Sequence, residues 1–175
     1  MTKEELCEEA YNWACSYSEE LKKLIDYDRE YFMGVINIER EQKKPRKDIA
    51  KYDEIIDNVW YMYDDLFINK DKEYEYQNIT DMEEIKKITS LYINKYFDIS
   101  DKEAWFNNIK LLCDELGYAS NMKEYKENPS GFRGNIADVS TVLRVALTTK
   151  SMTPDLYEIM KLLGRNRIED RYNNL

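Results

Sequence analysis

Residues 138–171, DVSTVLRVALTTKSMTPDLYEIMKLLGRNRIEDR, decide the fold. With Ile136 just upstream, Val139, Leu143 and Leu147 recur at spacings of three and four, the period of a helix that buries one side. Thr153-Pro154-Asp155 reads as the start of the next helix. Threonine caps, proline takes the first helical position where no N–H is needed, and aspartate suits the positive helix end. Gly164 stops that helix, and a short last one follows from Arg165.

The same period continues toward the N-terminus. Leu6, Ala10, Trp13, Ala14, Tyr17, Leu21 and Leu24 predict a first helix over 3–25. Tyr31, Phe32, Val35, Ile36 and Ile38 give a second from Arg29, ended by Pro45. Ile49, Tyr52, Ile56, Val59, Trp60, Tyr63 and Phe67 predict a third over 46–67. Residues 69–77, NKDKEYEYQ, are polar and lack an apolar period, so they mark a boundary. Helices over 81–97 and 101–116 follow, the second with Ser100 as N-cap and Gly117 as stop, and 128–131 reads as a turn. The fold class is all-α: two stacked helical subdomains, 1–70 and 80–175, joined by a linker at 71–79.

Composition agrees. Only 5 glycines and 3 prolines in 175 residues leave few turns for a hairpin-rich fold, and 35% charged residues suit solvated helix faces. No apolar run is long enough to cross a bilayer, and no signal peptide opens the chain, so a cytoplasmic monomer off the membrane is expected. The chain has no histidine, which removes the usual triads and most transition-metal sites; no catalytic residue and no metal site are assigned. Cys7 and Cys15 fall near one helix face and Cys113 lies in an apolar stripe, so all three read as reduced thiols in helix cores.

The net charge of −9 argues against nonspecific nucleic-acid binding, yet it is unevenly spread. Residues 1–70 hold 11 basic and 17 acidic side chains, residues 71–129 hold 8 and 13, and residues 130–175 hold 7 and 5. An anion-binding surface must therefore be local. One candidate is Lys43-Lys44-Pro45-Arg46-Lys47, cations at a helix start where free N–H groups favour a phosphate; a solvated loop is the plainer reading. Another is Arg144, flanked by Ala137, Ser140, Thr141, Leu147 and Thr148, most of them small enough for a flat base to approach; a surface arginine paired with Asp138 or Asp155 is the alternative. The third is Ser151–Leu156, either a helix start and nothing more, or N–H groups and a threonine hydroxyl that read a base edge over an apolar support. Tyr52, Tyr63, Trp13 and Trp60 follow helical stripes and are read as core.

INIEREQKKPRKDIAKYDEI (36–55), KLLCDELGYASNMKEYKENPSGFRGNIADVS (110–140) and the opening stretch together resemble the C-terminal anticodon-binding region of bacterial glutamyl-tRNA synthetases. The specific part is Arg-x-Ala-Leu-Thr, then Thr-Pro-x-Leu, then Leu-Gly before a basic last helix. The resemblance implies a helical cage that grips the anticodon loop of tRNA(Glu). By position, Arg144 resembles the arginine that contacts an anticodon base. Thr148 closes the same motif. Thr153, Pro154 and Leu156 resemble the residues lining an adjacent base pocket, and Arg46 stands where the first subdomain supplies an arginine near the third anticodon base. Lys43, Lys44, Lys47, Lys150, Arg165 and Arg167 are the candidate phosphate contacts. Thr149-Lys150 stands where the family usually has glycine, so that turn must close without one, and Tyr52 stands where the family often has tryptophan.

That family activates glutamate with ATP in a separate catalytic domain marked by a HIGH-like tetrapeptide and a KMSKS-like loop. Neither motif is present, so the chain is expected to be a fragment, roughly the C-terminal third of an ATP-dependent synthetase, with no cofactor of its own. The competing reading is a stand-alone helical protein-interaction module without RNA binding, suggested by the acidic first part.

Overall fold

The computed structural model describes residues 1–40 and 51–175. They form two compact units, Met1–Lys70 and Asp71–Leu175. The fold is all-α: among the described residues there is no strand, only an isolated bridge between Ala119 and Asn135. Among them also, no helix is long and apolar enough to cross a membrane.

In the first unit, α1 (Lys3–Tyr17) opens with a capping box. The Glu5 N–H donates to the Thr2 hydroxyl at 3.1 Å, and the Thr2 N–H donates to the Glu5 carboxylate at 2.7 Å. The single helix expected over 3–25 is two, because Ser18 intervenes in an extended conformation, φ −149°. Its N–H closes α1 on the Ala14 carbonyl, and its hydroxyl accepts the Leu21 N–H to open α2 (Glu19–Tyr27). A short hydroxyl side chain bonds nearby backbone better than it sustains a helix. Asp28 repeats the device, standing at the end of α2 and capping α3 (Arg29–Ile36) by accepting the Tyr31 N–H at 3.0 Å. Cys7, Ala10, Ala14, Leu21, Ile25, Phe32 and Val35 line the core.

The third helix expected over 46–67 is also corrected. Its described part is a 3₁₀ turn at Tyr52–Glu54, α4 (Ile55–Val59), a second 3₁₀ turn at Trp60–Met62, and α5 (Asp64–Asn69). Trp60, Tyr61, Met62 and Tyr63 are all buried. Four consecutive buried side chains cannot share one helix face, so the chain tightens and turns extended at Tyr63. Tyr31 braces this break, with its hydroxyl donating to the Met62 carbonyl and its ring edge-on to Tyr63 at 5.4 Å.

The second unit starts with residues 71–79, read above as a linker. Here they are bonded within the unit: Asn78 donates to Asp138 at 2.7 Å, and Tyr74 stacks on Tyr76 at 5.7 Å. Helix α6 (Met82–Leu91) runs on into a π-type turn at Tyr92–Tyr96. The N-cap of α7 (Lys102–Leu116) is Asp101, which accepts the Ala104 N–H at 2.8 Å, and not Ser100. Ser100 is occupied instead, giving its N–H and hydroxyl to Asp98 at 2.8 and 2.6 Å. Gly117, at φ 84°, closes α7 as expected.

After α8 (Met122–Glu127), the capping box of Asn135 and Asp138 opens α9 (Ile136–Thr148). Ile136, Val139, Leu143 and Leu147 are buried as the period requires, and so are Val142, Val145, Ala146 and Thr148. Such wide burial makes α9 the central helix of the unit, packed by α6, α7 and α11 (Arg165–Asn173). Helix α10 (Leu156–Leu163) ends at Gly164, whose φ of 78° and ψ of 164° suit glycine alone. Beneath α10, the Met160 sulfur accepts both the Tyr92 hydroxyl at 3.3 Å and the Trp105 indole N–H at 3.2 Å.

The cysteines divide. Cys7 and Cys113 are fully buried, but Cys15 is exposed, since eight residues along a helix carry it off the Cys7 face. Burial pushes both inner thiols up, Cys113 to about 12. An aromatic disulfide reagent at neutral pH is therefore expected to titrate Cys15 alone in the folded protein and all 3 cysteines after unfolding. A second thiol reacting as fast as the first would contradict this burial.

Candidate nucleic-acid interface

Two of the three sequence candidates come together in the second unit. Arg144, on the last turns of α9, is half-buried and reaches the segment that precedes α10. Its Nη1 donates to the Pro154 carbonyl at 2.8 Å, to the Thr153 carbonyl at 3.3 Å, and to the Thr153 hydroxyl. The two carboxylates named as its alternative partners have roles of their own. Asp138 is engaged in its own capping box, and Asp155 serves α10 and Lys102.

The start of α10 differs from the expected one. Asp155 is the N-cap, accepting the Tyr157 and Glu158 N–H groups at 2.8 and 3.4 Å, so Thr153 does not cap and Pro154 is outside the first turn. The reason is local competition. A carboxylate is the stronger acceptor at a positive helix end, and the Thr153 hydroxyl is already taken by Arg144. Lys102, at the start of α7, pairs with the same carboxylate.

Between α9 and this segment lies a turn closed without glycine. Thr149 adopts the left-handed conformation, φ 70° and ψ −18°, unusual for a β-branched residue. Its N–H reaches the Val145 carbonyl at 2.7 Å. The buried Thr148 hydroxyl accepts the Lys150 N–H at 3.1 Å and has its one proton to give to either the Arg144 or the Lys150 carbonyl. Thr149→Gly is expected to relieve the left-handed residue and raise stability by about 1 kcal/mol. A thermal melt checks it, and a lower melting temperature would mean that the Thr149 side chain contributes more by packing than its backbone loses.

The sequence candidates are differently placed. Leu156 is 2% exposed and Thr148 and Thr153 are buried, so they shape the turn from beneath. Pro154 and Lys150 are half-buried. Met152 is 78% exposed at the tip of the turn. Arg165 donates to the Ile93 carbonyl at 2.9 Å and lies over Phe97, and Arg167 donates to the Leu162 and Leu163 carbonyls, both at 2.8 Å. Each thus quenches carbonyls at a helical end, where the dipole is negative. Lys43, Lys44, Arg46 and Lys47 lie outside the described residues. Among the described residues, no group of three or more His, Cys, Asp or Glu side chains could hold a metal ion.

Sequence reasoning missed Glu75. Its carboxylate accepts the Ser151 N–H at 2.8 Å and the Ser151 hydroxyl at 3.3 Å, and its own N–H donates to the Thr149 carbonyl at 2.8 Å. Nothing in a polar stretch so far away along the chain signals such a partner.

Residues 132–175, which hold this whole turn, match the family model described as "Anticodon binding domain". The chain is 39% identical over 165 residues to a glutamate–tRNA ligase of Clostridium perfringens, covering 92% of this chain and 29% of the relative. It is 35% identical over 172 residues to one from Acetivibrio thermocellus, covering 98% and 31%. A third, from Sorangium cellulosum, is 30% identical over 171 residues, covering 98% and 30%. The chain thus spans about 30% of the length of the relatives it matches. With similarity running along nearly all of its residues and the domain match falling on the Arg144–Thr153 turn, the chain belongs to the anticodon-binding region of the bacterial glutamate–tRNA ligases.

Proposed function

We propose that this chain recognises the anticodon loop of tRNA(Glu), and that the whole protein attaches glutamate to that tRNA with ATP. The observation that carries the reading is the clasp of Arg144 on Thr153 and Pro154, inside the segment that matches the anticodon binding domain. A guanidinium held beside this turn can bond the edge of an unstacked base or lie against its face. Thr153 and Pro154, where Arg144 is clasped, border the base on one side, and the buried Leu156 and Thr148 hold the turn from beneath. Arg46 is proposed as a second base contact on its position in the sequence alone. Lys43, Lys44, Lys47, Lys150, Arg165 and Arg167 are the proposed phosphate contacts, the last two beside the carbonyls they also bond. The working form is a cytoplasmic monomer.

The test is filter binding of the chain to a tRNA(Glu) transcript and to the same transcript with an exchanged anticodon, over a range of salt. Wild type is expected to prefer tRNA(Glu) and to weaken as salt rises. Arg144→Ala is expected to lose about 1–3 kcal/mol of that preference at one base position, as for a lost bidentate contact. Equal binding of both transcripts by wild type would sink the reading. Unaltered preference in a folded Arg144→Ala protein would sink this residue's part in it.

A further inference from the structure

The turn after α9 is held from outside its own segment. Glu75 grips it at three points, through its N–H on the Thr149 carbonyl and through its carboxylate on the Ser151 N–H and hydroxyl. What it grips is the left-handed Thr149 itself and Ser151 two residues on, and that conformation is one a threonine rarely adopts. Immediately beyond stand the exposed Met152 and then Thr153, which meets the Arg144 guanidinium. Glu75 is itself exposed, so truncating its side chain removes little buried surface from the unit.

We infer that Glu75 is the positioning residue of the RNA-facing turn, fixing Ser151–Thr153 so that Arg144 and Met152 meet an anticodon base in one geometry. The inference rests on the anticodon reading above. It makes an unusual demand on electrostatics. A carboxylate close to a polyanion weakens binding, so removing it should tighten RNA binding without regard to sequence. A positioning role requires the reverse for the cognate RNA, because a loosened turn no longer presents its groups together.

The experiment uses the full chain as wild type, Glu75→Ala and Glu75→Gln, with the tRNA(Glu) transcript and the anticodon-exchanged transcript as probes. Glu75→Ala is expected to bind tRNA(Glu) about tenfold more weakly, the size of one lost charge-assisted hydrogen bond. The other transcript should change little, so discrimination falls by the same factor. Glu75→Gln keeps an acceptor oxygen and is expected to recover part of the loss. Hydrogen exchange at the Ser151 amide should quicken by about tenfold in Glu75→Ala, while the melting temperature stays close to wild type. Tighter binding of both transcripts by Glu75→Ala, or discrimination equal to wild type, would overturn the role given to Glu75 and leave the anticodon reading standing. Wild type binding both transcripts equally would overturn the anticodon reading, and the role of Glu75 in recognition with it.

Discussion

Trp105→Ala is expected to destabilise the second unit by about 3–5 kcal/mol, the range for emptying a buried indole site. Trp105 is buried in the core, gives its N–H to the Met160 sulfur, and lies 5.7 Å from the Tyr157 ring. Both partners belong to α10, whose start carries the Asp155 cap. Losing the indole therefore removes apolar burial and leaves the Tyr92 hydroxyl as the one donor still bonded to that sulfur. Guanidinium unfolding followed by far-ultraviolet circular dichroism measures the loss without relying on tryptophan fluorescence. A shift below about 1 kcal/mol would be incompatible with this packing.

Leu143→Ala should cost about 2–5 kcal/mol. Leu143 is fully buried on α9, and its carbonyl accepts the buried Tyr172 hydroxyl at 3.1 Å, a bond the substitution leaves in place. The loss is thus one of packing. Its neighbour Arg144 provides the contrast. Leu143→Ala should lower the unfolding free energy yet leave RNA affinity nearly unchanged well below the melting point, whereas Arg144→Ala should act chiefly on affinity. If the two substitutions had the same pair of effects, packing and recognition on α9 would not be separable.

The contrast also shows what the chain discloses before its structure is known. Leu143 was legible, because a period of three and four is a direct image of a buried helix face, and the whole stripe from Ile136 to Leu147 obeys it. Gly117 and Gly164 were legible for a similar reason, since each ends a helix in a backbone conformation that favours glycine. The failures are of two kinds. At Trp60–Tyr63 an apolar run longer than one face disguised a break as a helix. At Ser100/Asp101 and Thr153/Asp155 two capping residues stood close together, and the choice between them depended on what already held the first of each pair, Asp98 two residues back in one case and Arg144 on the preceding helix in the other. The candidate site shows the same division. Arg144 and Thr153 each drew notice alone, but their contact is a tertiary fact, and Glu75 carries no local sign of its role.

Ser18 and Asp28 have a consequence for how the first unit can change over time. Each residue stands at the end of one helix and caps the next, so the joints α1–α2 and α2–α3 contain a single residue and no loop. Loops absorb changes in chain length; these joints have nothing to absorb them with. One residue added or deleted between Glu19 and Tyr27 would turn the downstream face by about 100°, moving Ile25 out of the core. Between Lys3 and Ile36 the chain is therefore expected to tolerate exchange of exposed residues far better than a change in length.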